Sequence, residues 1–157
     1  MDIKKILIFF LLFNITACNS SNSTMKNNDV KFDTIHLLVV KKKLSFNTGV
    51  NKNTKKLIEE WFSKSVKIDG FEGEIQFSVI KYDEKISNIQ NGKKIDITLG
   101  FLVKIQNNLI YKKLIKGEVN SFGSLTGTFS LKDFDIIIEN TQLDLIVRLS
   151  RDLKSKI

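Results

Sequence analysis

The clearest pattern in the chain is the alternation from Ile95 to Ile105. Ile95, Ile97, Leu99, Phe101, Val103 and Ile105 fall on one side, and Asp96, Thr98 and Lys104 on the other. Successive strand side chains point to opposite faces, so this spacing predicts a half-buried strand. Glu74 to Tyr82 has the same period, with Ile75, Phe77 and Val79 set against Gln76 and Ser78. Asn91-Gly92 between the two predicts a turn. Gln106-Asn107-Asn108 predicts a second turn, and Leu109 to Val119 a returning strand. Its alternation is muddled at Lys112-Lys113-Leu114, where a bulge fits. Thr34 to Val40 is a short β-branched and apolar run, expected to be the first strand and to end at Lys41-Lys42-Lys43. The Asn-rich stretch from Phe46 to Lys52 and the Ser, Gly and Thr of 120–128 predict loops.

Two segments change to helical spacing. Over roughly 54–67, Leu57, Ile58, Trp61, Phe62 and Val66 share one face. Asn53 or Thr54 can cap it, Glu60 and Lys64 stand four apart on the outer side, and Asp69-Gly70 stops it. Trp61, beside Phe62, is expected in the core rather than as an exposed anchor. Ser130-Leu131-Lys132-Asp133 has the form of a capping box. Beyond it Phe134, Ile137, Ile138, Leu145, Leu149 and Leu153 form a long stripe, weakened at Asn140-Thr141. Acidic residues come early and basic ones late, which complements the helix dipole. The order is β-α-β-β-β-α. It predicts an α+β fold: a two-layer sandwich with about four strands, mainly antiparallel, and two helices on one face.

The N-terminal stretch has a different pattern. Lys4 and Lys5 precede the unbroken apolar run Ile6 to Phe13, and small residues lead to Cys18. That is the order of a secretory signal peptide over 1–17. A spanning helix needs about 20 apolar residues, far more than this run offers. Ile15-Thr16-Ala17-Cys18 resembles a bacterial lipobox. The resemblance implies that the Cys18 thiol carries a diacylglyceryl group and that cleavage falls just before it. A thiolate is the nucleophile that such alkylation needs, and two acyl chains anchor stably where one is marginal. An ordinary signal peptide prefers an A-x-A-like site, where Ile15 is out of place. Residues 18–29 are polar with almost nothing to bury, and are expected to form a lipidated flexible tether. That leaves 30–157 as a single domain.

Removing the leader leaves 157 − 17 = 140 residues, enough for one domain with a core. The mature formal charge is (25 − 2) − (17 − 1) = +7. Such an excess suits anionic neighbours such as lipid head groups or lipopolysaccharide. An exported compartment argues against nucleic acid. Cys18 is the only cysteine, so an internal disulfide and a cysteine metal cluster are excluded. The single histidine, His36, has no second His or Cys with which to build the usual zinc site. Catalysis by it would need a positioned partner. Gly117, Gly123 and Gly127 lack the strand–turn–helix context of a phosphate loop. The chain is therefore expected not to be an enzyme and to need no cofactor.

The lysine groups are the candidate chemistry. Lys41, Lys42 and Lys43, then Lys93-Lys94, then Lys112, Lys113 and Lys116 are candidates for binding anions. For any single group the favoured reading is a solvated edge that opposes strand-to-strand aggregation. In topology and size the mature chain resembles small envelope lipoproteins of Gram-negative bacteria. Examples are the lipopolysaccharide-assembly lipoprotein that plugs the outer-membrane translocon and auxiliary lipoproteins of ABC lipid-transport systems. Leu57-Ile58-Glu59-Glu60-Trp61 is similar, with one extra residue, to the L-x-x-W helix end of a group of alphaproteobacterial lipoproteins. The resemblance implies a lipid-anchored envelope protein, an accessory or binding subunit in outer-membrane biogenesis or lipid transport. Asn19, rather than Asp, after the cysteine favours the outer membrane by the enteric rule, facing the periplasm. The expected partners are the membrane through acylated Cys18, an envelope protein, and an anionic lipid or lipopolysaccharide. A structural or surface-interaction lipoprotein without a transport partner is the alternative.

Overall fold

The computed structural model describes residues 32–107 and 111–157. The leader, Cys18 and the tether lie outside the described residues, as do Asn108 and Leu109 at the second turn. The elements are β1 Ile35–Leu37, β2 Lys41–Phe46, α1 Lys52–Ser65, β3 Val66–Ile68, β4 Glu74–Ile89, β5 Gly92–Asn107, β6 Tyr111–Thr126 and α2 Leu131–Lys156. The main sheet has the order β2-β4-β5-β6, and β1 pairs with β3 beside it. β2 runs parallel to β4, while β4, β5 and β6 form an antiparallel meander. The α+β class is as the sequence pattern predicts.

The core follows the alternation. Ile75, Phe77 and Val79 of β4 and all six odd-numbered apolar residues of β5 are buried. Both helices lie on that face. The Trp61 ring of α1 meets Phe77 edge-on at 5.5 Å, and Phe77 stacks on Phe101 at 5.6 Å. Leu145, Ile146, Leu149 and Leu153 of α2 are fully buried.

Several expectations are corrected. Lys41-Lys42-Lys43 does not end the first strand; it opens β2, an edge strand that runs to Phe46, where the expected loop begins. Edge strands tolerate lysine because alternate side chains remain in water. Val66–Ile68 is not helix but β3, and α1 starts earlier, capped by Asn51, whose side chain accepts from the Asn53 N–H at 2.8 Å. β4 is longer than expected and shifts register between Val79 and Lys81. The turn falls one residue early, with Asn91 in the left-handed region at φ 56°. Asparagine adopts that conformation more readily than most residues.

β6 departs most. It pairs with β5 without any register shift, so no bulge lies at Lys112-Lys113-Leu114. It also continues through the stretch expected to be a loop, to Thr126. The small residues there serve helix packing. A Cβ on Gly123 would lie 2.3 Å from Thr141 Oγ1, and one on Gly117 would lie 2.4 Å from the Phe101 ring. Ser121 is buried and donates to Asp144 at 2.7 Å. Helix α2 thus lies close along β6 and runs opposite to it. It is unbroken at Asn140-Thr141, where the Thr141 hydroxyl donates to the Ile137 carbonyl at 2.6 Å. Its N-terminus is the predicted capping box, with Ser130 as cap and Asp133 answering it. The Ser130 backbone N–H, then its hydroxyl, hold the Asp133 carboxyl below the usual range.

Candidate anion-binding face

Strand parity divides each lysine group. Lys42 pairs in register with Ile75 and Lys113 with Ile105, so both share the core-facing parity. Each ties a helix end. Lys42 Nζ donates to the carbonyls of Phe62 at 3.2 Å, Ser63 at 2.9 Å and Val66 at 2.7 Å. Those are carbonyls at the end of α1, where the dipole favours a cation. Burial, and then nearby Lys67, push the Lys42 pKa down. Lys113 Nζ donates to the Ile157 backbone oxygen at 3.0 Å, just beyond α2. Neither is free to serve as an open anion site.

Lys41, Lys43, Lys112 and Lys116 have the opposite parity and lie on the face that neither helix covers. Register adds Lys104 to them. The rows read Lys41–Glu74–Gln106–Lys112, then Lys43–Gln76–Lys104–Leu114, then Ser45–Ser78–Leu102–Lys116. One end of the open face thus carries five lysines against the single carboxylate Glu74, which pairs with Lys43 at 3.0 Å. Adjacent strands lie about 4.8 Å apart, so these ammonium groups are spaced to reach one anion laid across the strands. Sequence reading missed Lys104 as a site residue because it stands alone, 104 − 76 = 28 residues from its row neighbour Gln76 on β4; only strand pairing shows its place.

Lys93 and Lys94 lie at the other end of the sheet, with Lys93 over the Phe134 ring and Lys94 paired with Asp96 at 2.7 Å. His36 is exposed and has a partner: its Nδ1 lies 2.6 Å from Asp69 Oδ2. The 33-residue separation of this pair left no sequence signal. Between the helices, Asn53, Lys56, Leu57, Glu60, Glu139 and Gln142 line a pocket of about 190 Å³. A second, more apolar pocket of about 310 Å³ lies between β1 and the end of β5, lined by residues including Leu37, Val39, Ile105 and Ile157.

No family model matches this chain, and no curated protein matches it. Among solved structures, the rare lipoprotein B of Shewanella oneidensis is similar at TM-score 0.49 and 13% identity, over 74% of this chain and 96% of that one. A hypothetical protein of Chlamydia trachomatis is similar at TM-score 0.46 and 10% identity, over 74% of this chain and 96% of that one. The minor lipoprotein of Acinetobacter baumannii is similar at TM-score 0.52 and 10% identity, over 76% of this chain and 96% of that one, and with it the chain shares a fold.

Proposed function

We propose that this chain is a lipid-anchored protein of the bacterial cell envelope, held by acylated Cys18. It acts as a non-enzymatic accessory or binding subunit in outer-membrane biogenesis or lipid transport, on the periplasmic side of the outer membrane. The observation that carries this reading is the basic open face. Lys41, Lys43, Lys104, Lys112 and Lys116 converge there from three strands, β2, β5 and β6. Clustered lysines on an uncovered sheet attract phosphate-bearing lipids such as lipopolysaccharide. Leu102 and Leu114 lie between them and give acyl chains an apolar contact. The lipobox-like Ile15-Thr16-Ala17-Cys18 supports the anchor, and the fold shared with a lipoprotein agrees with it.

Two measurements test the reading. Metabolic labelling with a palmitate analogue should mark the wild type and not Cys18→Ser, and equal labelling would remove the anchor. Binding of purified full-length protein to lipopolysaccharide should weaken in Lys104→Glu/Lys116→Glu and with added salt. Binding unchanged by both would remove the face.

A further inference from the structure

The basic end of the open face is also the end at which the chain from the proposed anchor joins the domain. Asp33, the second described residue, pairs with Lys154 at 3.0 Å, and its carbonyl accepts from Ser150 at 3.3 Å. This fixes the start of the domain beside the last turns of α2. The chain then passes through β1 to Leu38, whose carbonyl accepts from Asn107 Nδ2 at 3.3 Å. Asn107 ends β5, and Lys112 pairs with its neighbour Gln106.

Large apolar residues are exposed at this end, among them three close together. Phe71 is 97% exposed, Leu38 74% and Val40 44%. They belong to two segments bonded to each other: the Gly70 N–H donates to the Val39 carbonyl at 3.2 Å, and the Val40 N–H to the Gly73 carbonyl at 3.2 Å. The bonds hold the loop carrying Phe71 against the segment carrying Leu38 and Val40. Lys41 and Lys43 follow directly. Of the nearby carboxylates, Asp69 faces His36, Glu74 faces Lys43, and Glu72 is engaged within the fold.

We propose that this end seats on an anionic lipid surface, the membrane to which the chain is tethered, with Phe71 and Leu38 entering the head-group boundary. The proposal rests on the lipid-anchored reading above. Apolar tips rimmed by lysines are the composition of an interfacial contact, with hydrophobic insertion and head-group attraction adding. The leash is long enough. From Cys18 to Phe32 is 32 − 18 = 14 residues, which span at most about 50 Å. A shorter span suffices, because Asp33 already lies beside the last turns of α2. Each lysine near an anionic surface strengthens binding about fivefold. The partner is a bilayer and not a protein groove because the exposed apolar residues adjoin the five-lysine end of the open face, and of the nearby carboxylates Asp69 and Glu74 are paired with His36 and Lys43.

The test uses full-length protein carrying Phe71→Trp, added to phosphatidylethanolamine–phosphatidylglycerol vesicles with brominated acyl chains. Trp61 is fully buried and supplies an unquenched baseline. The added tryptophan should shift to the blue and be quenched. Charge reversal of Lys41 and Lys43 should weaken vesicle binding of the unacylated protein about thirtyfold or more. Flotation and the acyl mass report the anchor separately. Quenching together with an absent acyl mass would uphold the seat while removing the anchor. Absence of quenching in anionic vesicles, acylated or not, would overturn the seat. So would equal quenching in phosphatidylcholine alone for the unacylated chain.

Discussion

The Lys42 ammonium donates to the Val66 carbonyl oxygen at 2.7 Å, joining the edge strand of the sheet to the point where α1 becomes β3. The same nitrogen reaches the Ser63 and Phe62 carbonyls. Its neighbours Lys41 and Lys43 point the other way. One Lys-Lys-Lys run therefore holds a structural residue between two surface residues.

That division predicts unequal effects of substitution. Lys42→Met keeps much of the stem but removes three bonds to carbonyls. It should lower stability by about 1–3 kcal/mol, the scale of hydrogen bonds to a charged group. Lys43→Met loses only an exposed pair with Glu74, worth about 0–1 kcal/mol. Urea denaturation of both decides it. Equal midpoints would show that the Lys42 bonds contribute nothing to α1.

The contrast also explains what the sequence makes visible. The six alternating residues of β5 identify the strand and its buried face, because burial imposes a period of two. The capping box at Ser130–Asp133 is visible because it is local. The open-face cluster is not, since Lys41, Lys104 and Lys116 meet only through strand register. The loop expected at 120–128 fails for a related reason. Ser121 and Gly123 are small to admit α2, and composition does not separate close packing from a turn. Val66–Ile68 is concealed by following a helix directly, where Val66 fits the helical stripe as well as a strand.

Gly123 supplies a second prediction. Gly123→Val places its Cβ 2.3 Å from Thr141 Oγ1 and 2.9 Å from Ile137 Cγ1. Helix α2 must move away from β6, which should cost about 1–3 kcal/mol, as overpacking does. Gly49→Ala meets nothing within 4 Å and should remain near wild type. Thermal melts of the two variants measure the difference, and a Gly123→Val protein as stable as Gly49→Ala would contradict the close packing.

Tyr82 makes stability depend on alkaline pH. Its hydroxyl donates to Glu84 and lies 3.0 Å from Thr54 Oγ1. Burial first, then the bond to Glu84, raise its pKa far above the ordinary value, with the Thr54 bond opposing. The fold favours the neutral phenol. Its contribution is complete below the unfolded value of about 10 and is lost as pH rises toward the folded one. Tyr82→Phe should cost about 0.5–1.5 kcal/mol at pH 7. The gap from wild type should narrow above about pH 10. A gap that stayed constant with pH would show that the phenol is not coupled to folding.

The last prediction concerns α2. Its 26 residues span about 39 Å along β6. Leu145, Ile146, Leu149 and Leu153 are each fully buried, and Lys113 and Lys154 pin its final turns to the sheet and to Asp33. Burying one such side chain contributes about 1.5–3 kcal/mol. Losing four together reaches the range of an entire domain, about 5–15 kcal/mol. Truncation after Thr128 should therefore leave a chain that aggregates or is cut rapidly by protease. Milder substitutions guard against a trivial failure to fold. Leu149→Ala should cost about 2–5 kcal/mol, whereas Leu131→Ala, at the exposed start of the helix, should change little. If the truncated chain melted cooperatively near the wild-type temperature, the β4–β5–β6 meander would be stable without its cover, and the inner face would have to be counted as a surface for partners rather than as core.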